Sequence, residues 1–405
     1  MTIAVIGGGA AGMAAALAAA SRGAAVTVFE RQARVGRKLA VTGNGRCNLT
    51  NRNAAPTFYH GGEAGFAAPA LHRFDPEETL KRFRNLGLLT VTEPGGRVYP
   101  LSDTAGTVVD VLRHALEGVG VHLRLGAEVG EIRREKGGFS LLCGEERFTA
   151  QRVIVACGGA AGGKYGGTAL GYRLLERLGH RCSSLRPGLV QLRSDSPWCR
   201  SLKGVRADTG VTLLRAGTAV GQAAGEVQFT DYGLSGPAIF EISREALAED
   251  KAEISLDLVR ELDRERLTAH ILAHAQCSPQ LTLGDALVGT VQNRLGRVLV
   301  SAAGLSQSVP ITALDGKDAA RLAAALKDFR FSVTGSQGME NAQVTVGGIL
   351  TRDFDAETME SRLCPGLYAC GEVLDVDGDC GGFNLQWAWS SGLLAGFNAA
   401  GDKPC

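Results

Sequence analysis

The chain has 405 residues, 45% hydrophobic and 21% charged, and its 43 Lys and Arg against 42 Asp and Glu leave a formal charge of +1. That length suits two or three globular domains. The balanced charge argues against nucleic acid or an anionic membrane as the main partner, since both call for a clustered basic excess. Glycine is the unusual residue, at 55 of the total, roughly twice its ordinary share. Ten cysteines lie scattered with no CxxC pair, a pattern of reduced thiols in a cytoplasmic enzyme rather than of a disulfide scaffold. His270 and His274 stand four apart without the following glutamate or third ligand of a zinc motif, so no metal is expected.

Ile3 to Ala20 runs 18 residues without a charge, which by count alone is a membrane-span candidate. Gly7, Gly8 and Gly9 interrupt it, and no basic segment precedes it as in a signal peptide. The stretch instead divides into a strand, Thr2 to Ile6, the sequence Gly7-Gly8-Gly9-Ala10-Ala11-Gly12, and an alanine-rich helix. A second strand, Ala25 to Phe29, ends in Glu30. In this setting Gly7 permits a tight turn, Gly9 lets backbone approach a pyrophosphate, and Gly12 lets the helix pack on the sheet. The helix N-terminus offers unpaired N–H groups, and Glu30 stands where an acid can accept from ribose hydroxyls.

Two later segments choose between dinucleotides. Arg152 to Val155 reads as a buried strand running into the small-residue turn Ala156-Cys157-Gly158-Gly159, and Gly366 to Ala369 leads into Cys370-Gly371-Glu372. A second glycine-and-acid turn suits a polyol chain, which FAD carries between its pyrophosphate and reactive ring and NAD does not. FAD is therefore the expected cofactor. A second GxGxxG unit is missing, since Gly158-Gly159-Ala160-Ala161-Gly162 has the wrong spacing. NAD(P)H is left as a transient visitor to the flavin.

Further motifs stand at Gly36-Arg37-Lys38-Leu39, Thr42 to Asn51, Phe229 to Pro237, Val344 to Gly348, Gly371 to Gly378 and Gly381 to Gln386. Through them the chain resembles the HI0933-like FAD-binding oxidoreductases over nearly its full length. It departs from the family pattern at Asp231, where the family often has His, and at Cys157-Gly158, where Thr-Gly is common. The family includes aminoacetone oxidases and bile-acid reductases. The resemblance implies FAD contacts at the motif positions already quoted and at Arg31, Arg37, Lys38, Asn44, Arg46, Val129, Asp377, Gly381, Gly382, Phe383 and Asn384. It also implies that the helix opened by Gly381-Gly382-Phe383-Asn384 faces the flavin, where its dipole would favour the reduced, negatively charged ring. Arg37 and Lys38 suit anionic phosphate oxygens, although such a basic pair also suits a solvated loop.

The expected fold is α/β: a discontinuous Rossmann-like FAD-binding domain with an inserted β-barrel domain carrying a small helical subdomain. The expected boundaries are 1–190 and 336–405 for the cofactor domain, 191–335 for the insertion and about 240–310 for its helices. Strands are expected at Val205 to Leu214, Ala219 to Phe229 and Glu253 to Leu258, with helices from Arg264 to Ala275 and Val291 to Ala303. A small-molecule substrate should enter between the insertion and the flavin.

With no GxSxG and no CxxxxC redox pair in the sequence, the flavin itself must carry the chemistry. The expected reaction is hydride transfer at flavin N5, either NAD(P)H-linked reduction of an activated double bond or oxidation of an amine or aminoketone. Arg46 is the candidate holder of a substrate oxygen, or else an FAD ligand, and Tyr232 the candidate proton donor. Cys47 and Cys380 are read as inert thiols. The alternative class is a flavin-binding redox sensor without turnover. Oligomeric state is left open.

Overall fold

The computed structural model describes residues 1–249 and 251–401, which fold into two compact units. The first comprises residues 1–187 together with the chain from Met339 onward, and the second is Gly188–Gly338.

At the centre of the first unit lies a five-stranded sheet. Thr2–Ile6 sits between Arg152–Val155 and Ala25–Glu30, with Leu367–Ala369 and His122–Leu125 outside them, and every pairing is parallel. The short apolar runs of the central strands are buried almost throughout, the mark of a parallel sheet covered on both faces. Leu367–Ala369 completes the sheet from a segment far along the chain, so the first and last parts of this unit share one sheet.

The helix Ala10–Ser21 leaves the first strand through the glycine loop, and the helix Phe383–Ala399 packs directly upon it. A Cβ on Gly392 would stand 2.4 Å from Ala11 O, and one on Gly396 would stand 2.2 Å from Ala15 O. The two backbones therefore meet with no room for a side chain. This close crossing explains why the first helix is almost entirely alanine on its buried positions.

Between the second strand and His122–Leu125 the chain builds a three-stranded antiparallel sheet in the order Thr50–Asn51, Arg97–Pro100, Thr90–Thr92. It also forms the helices Pro76–Asn85 and Ala105–Gly118. The first starts on Asp75, whose side chain accepts from Glu78 N at 2.7 Å, an N-cap that satisfies an otherwise orphaned donor. The next crossover is an antiparallel meander, Val129–Glu135, Gly138–Cys143 and Glu146–Ala150.

The second unit is built on a seven-stranded antiparallel sheet. Its order is Phe329–Ser332, Ala252–Asp257, Arg206–Arg215, Thr218–Phe229, Gly233–Ser235, Leu192–Arg193 and Gly335–Ser336. The strands at the two ends of that order belong to one continuous segment, 329–336. Val333 N donates to Ala252 O and Thr334 N donates to Arg193 O, so the segment passes from one edge to the other and closes the sheet into a barrel, which removes its free edges. Phe229, Phe329 and Phe331 cluster in its core, the last two edge to face at 4.8 Å.

Helices Arg264–Cys277 and Asn293–Ala302 lie close to their expected positions. Pro237–Ala246 and Gly316–Lys327 are two further helices that the sequence reading did not single out. Among the described residues no helix is long and apolar enough to cross a membrane.

Candidate functional site

The three glycines of the first loop differ in what confines them. Gly7 has φ +109°, and a Cβ there would stand 2.4 Å from Ala156 O. A Cβ on Gly12 would stand 1.9 Å from Gly7 O. Protein packing alone requires both. Gly9 is different: its backbone is extended, at φ −82° and ψ −171°, and a Cβ would meet nothing within 4 Å. The space before Gly9, at the unpaired N–H groups of a twelve-residue helix, fits a pyrophosphate. Gly158 likewise borders open space, at φ +70°.

Glu30 closes the loop from the second strand. Its Oε2 accepts from Gly8 N at 2.7 Å and its Oε1 from Gln32 N at 2.8 Å, which fixes the carboxylate and leaves lone pairs for ribose hydroxyls. Val129 is buried at the start of the meander, and Ala156 is buried beneath Gly7. Arg31 donates to Gly166 O at 3.0 Å. Arg37 is exposed and donates to Gln32 Oε1. Lys38 instead pairs with Glu372 at 2.9 Å, while Glu372 Oε1 accepts from Thr345 N at 2.8 Å. Gly159 lies against both, since a Cβ there would stand 2.4 Å from Thr345 Oγ1 and 2.6 Å from Glu372 Oε1. A Cβ on Gly371 would stand 2.8 Å from Ala11 Cβ. Thus the Gly36–Leu39 motif and the carboxy-terminal acid form one charged group. Thr345, absent from the expected site residues, ties it to the Ala160–Ala161 turn by accepting from Ala161 N at 3.0 Å; its signal was the quoted Val344–Gly348 motif.

The tip of the final helix forms the other end of the site. Gly381 and Gly382 have φ +131° and +102°, and a Cβ on Gly382 would stand 2.6 Å from Thr50 O. Asn384 clamps the turn before them, accepting from Gly378 N at 2.8 Å and donating to Gly378 O at 2.6 Å. Asp377 is buried just upstream. Phe383 stacks on Phe58 at 4.7 Å, and its carbonyl accepts from Tyr59 Oη at 3.0 Å. Two indoles hold the helix to the loops on either side: Trp389 Nε1 donates to Leu49 O at 2.8 Å and Trp387 Nε1 to Gly371 O at 3.2 Å. Gln386 joins Thr50, Phe74 O, Thr79 and Ser390 in a buried network. The helix therefore presents unpaired N–H groups and positive dipole from a rigid, glycine-lined tip.

In the Thr42–Asn51 loop Gly43, Asn44 and Cys47 all take left-handed backbone, and Asn44 is exposed. Arg46 is held between Glu93, at 2.6 Å, and Asp103, and lies over the Tyr99 ring at 4.1 Å. Those two carboxylates raise its pKa above the ordinary guanidinium value. Its charge is therefore matched within the protein. Cys47 is fully buried, and burial pushes its thiol up to about 12. Burial likewise pushes Cys157 up to about 12, so the residue standing for the family's Thr is a packed neutral thiol whose Sγ donates to Ile6 O at 3.5 Å.

Tyr232 belongs to the second unit and is half-buried, its carbonyl accepting from Ser194 N at 2.9 Å. Asp231 beside it is exposed and pairs with Lys203 at 2.6 Å, which holds its carboxyl below the usual range. The departure from the family's His thus places an ionised carboxylate there.

A parallel sheet with a glycine loop, an anchored acid after its second strand, a second glycine-and-acid turn and a glycine-tipped final helix defines a flavoprotein of the dinucleotide-binding class. The chain belongs to the HI0933-like family, whose Rossmann domain matches residues 1–398. It is an FAD-dependent oxidoreductase family.

The chain is 38% identical over 408 residues to a 3-dehydro-bile acid delta(4,6)-reductase of Clostridium scindens, covering 99% of each chain. It is 32% identical over 391 residues to a ribosomal RNA dihydrouridine synthase of Escherichia coli, covering 96% of this chain and 95% of the relative. The corresponding Haemophilus influenzae protein is 30% identical over 393 residues, with the same coverage. In fold it is similar to a 3-ketosteroid-delta4-(5alpha)-dehydrogenase of Rhodococcus jostii, with a TM-score of 0.51, 14% identity, and 99% and 96% of the two chains covered. Relatives named for a reaction on ribosomal RNA correct one expectation: balanced overall charge is no ground for excluding RNA as a partner.

Proposed function

We propose that the protein is an FAD-dependent reductase of a carbon–carbon double bond conjugated to a carbonyl, with NAD(P)H as electron source and a 3-oxo, unsaturated bile acid or related steroid as substrate class. The observation that carries this reading is the 38% identity, over 99% of both chains, to a reductase named for that substrate class. The ribosomal RNA relatives support the chemistry from another side, because making dihydrouridine also reduces a double bond conjugated to a carbonyl. Uridine in RNA is accordingly the second reading, carried by the 32% identity.

The chemistry that FAD would supply when bound and reduced by NAD(P)H is a hydride for the β-carbon of the double bond, with a proton completing the product at the α-carbon. The protein's part is to hold and tune. The open space at Gly9 and the Lys38–Glu372 pair would hold the pyrophosphate and the polar chain between phosphate and ring, and Glu30 would hold the ribose. The positive end of the helix at Gly381–Gly382 would favour negative charge on a ring held beside it. Arg46, matched by Glu93 and Asp103, orders the Thr42–Asn51 loop. Tyr232 is the proposed proton donor, a role that Tyr232→Phe tests by loss of turnover with FAD retained.

The deciding measurement is anaerobic stopped-flow absorbance of the flavin, mixed first with NADH or NADPH and then with a 3-oxo-Δ4 bile acid. Bleaching by a nicotinamide and recovery on adding the enone are expected. Bleaching by aminoacetone alone would replace the reading with amine oxidation, and no bleaching by any of these reductants would favour a redox sensor.

A further inference from the structure

The cations of the cofactor unit differ in whether the protein itself satisfies them. Lys38 is paired with Glu372, Arg46 with Glu93 and Asp103, and Arg31 donates to a backbone carbonyl. Arg97 stands apart. It opens the central strand of the small antiparallel sheet, opposite Asn51, and its carbonyl accepts from Glu93 N at 2.8 Å. Its side chain is half-buried, and among the described residues no carboxylate pairs with it and no group accepts a hydrogen bond from its guanidinium. A guanidinium carries five donors in a rigid fork, and those of Arg97 are not sealed from solvent, so a ligand's oxygen can reach them.

Its position shows what could meet them. A Cβ on Gly381 would stand 3.4 Å from Arg97 Nε, 3.5 Å from Asn51 Nδ2 and 3.5 Å from the Phe383 ring. The unmatched guanidinium therefore lies at the glycine tip of the final helix, the end of the site assigned to the reactive ring and remote in the chain from the pyrophosphate loop at Gly9. The neighbouring Tyr99 ring carries Arg46 on one face, and the Arg97 charge lowers the Tyr99 pKa against the upward push of burial.

We infer that Arg97 binds the carbonyl oxygen of the substrate's activated double bond. When hydride adds to the β-carbon, the double-bond electron pair shifts toward that oxygen, and the α-carbon then takes a proton. A fixed cation at the oxygen is bound more strongly to this developing charge than to the neutral carbonyl, which lowers the barrier. The 3-oxo group of a steroid and the C4 carbonyl of a uracil present the same chemistry. The inference rests on the proposed double-bond reduction and transfers to Arg97 the oxygen-holding role that sequence alone suggested for Arg46.

The test uses the full-length holoenzyme and the variants Arg97→Gln and Arg97→Lys. 3-Oxo-4-cholenoic acid and a short uridine-containing RNA are titrated against the oxidised-flavin spectrum, with FAD content, flavin midpoint potential, kcat and KM measured alongside. Expected are unchanged FAD content and potential in Arg97→Gln, binding of the accepted probe weakened about tenfold or more, a fall in kcat, and partial rescue by Arg97→Lys. Unchanged binding and turnover in Arg97→Gln would overturn the inference. A lowered potential with unchanged binding, or FAD lost from Arg97→Gln and kept in Arg97→Lys, would assign Arg97 to the cofactor and overturn it too. If wild-type protein accepts neither probe, the reductase reading itself fails and takes this one with it. If it accepts the RNA alone, the substrate class fails and the Arg97 comparison decides on that probe.

Discussion

Gly9 separates fold from function within a single residue. At Gly7 a side chain would drive into the backbone of Ala156, and at Gly12 into that of Gly7, so their substitution must damage the strand-to-helix turn whatever binds there. At Gly9 the protein itself leaves the space open, and its backbone angles suit any L residue. Gly9→Val is therefore expected to fold with a melting temperature close to wild type when both are stripped of FAD, yet to lose FAD affinity at least about tenfold, because a branched side chain fills the place of a phosphate. Calorimetry of the apo proteins together with FAD titration checks both halves, and a variant that took up FAD normally would show that the space serves no phosphate. Cys47 gives a second prediction at this scale. Its buried thiol, with a pKa of about 12, is almost wholly protonated near neutral pH and so is a poor nucleophile. Brief iodoacetamide treatment of native protein should label the exposed Cys277 and leave Cys47 unmodified, as peptide mass mapping would show.

At the scale of elements, the helix crossing through Gly392 and Gly396 fixes how the two ends of the chain assemble. Gly396→Ala places a methyl group 2.2 Å from Ala15 O, and backbone in two packed helices cannot give way without opening the contact. Overpacking of this kind costs about 1–3 kcal/mol, and urea unfolding should show that loss. Gly118→Ala is the control. Its added methyl group meets nothing within 4 Å at the end of a helix, so the change should be neutral or slightly stabilising. The glycine loop, its flanking strands and Glu30 were readable because the residues of a strand-to-helix turn and the acid after the second strand fall within one short stretch of chain. The four-residue spacing of the helix glycines was equally visible, but what they touch is set by a helix at the other end of the sequence. Arg46 and Arg97 show the same limit. Which arginine has its charge matched depends on Glu93 and Asp103, which are 47 and 57 residues from Arg46, and no local pattern reveals that pairing. The barrel's long strands showed through alternation, whereas its closure depends on segment 329–336 reaching both Ala252 and Arg193. The helix Gly316–Lys327 carries a local signal as well, an Asp315 cap followed by buried Ala319, Leu322, Ala323 and Leu326.

For the whole molecule, the question left by the two kinds of relative is whether the substrate is a steroid or RNA, and charge gives it a quantitative form. RNA affinity is carried largely by cations that displace counterions, with a salt slope of roughly −0.7 for each phosphate neutralised on a single strand. The overall balance of 43 cations to 42 anions leaves a local patch possible, but many basic side chains of the second unit are already matched: Lys203 by Asp231, Arg206 by Glu226, Arg260 by Asp208, Arg297 by Asp285, Lys327 by Asp257 and Arg330 by Glu253. Each must leave its carboxylate before it can serve a phosphate, and the carboxylate left behind repels the strand. The steroid reading therefore predicts weak, shallowly salt-dependent binding of a short uridine-containing RNA near physiological ionic strength, alongside efficient turnover of a 3-oxo-Δ4 bile acid. Fluorescence anisotropy across a salt series measures the first and flavin reoxidation the second. Tight RNA binding with a steep slope would require a basic surface assembled by opening these pairs, and would move the substrate assignment to RNA while leaving the double-bond chemistry in place.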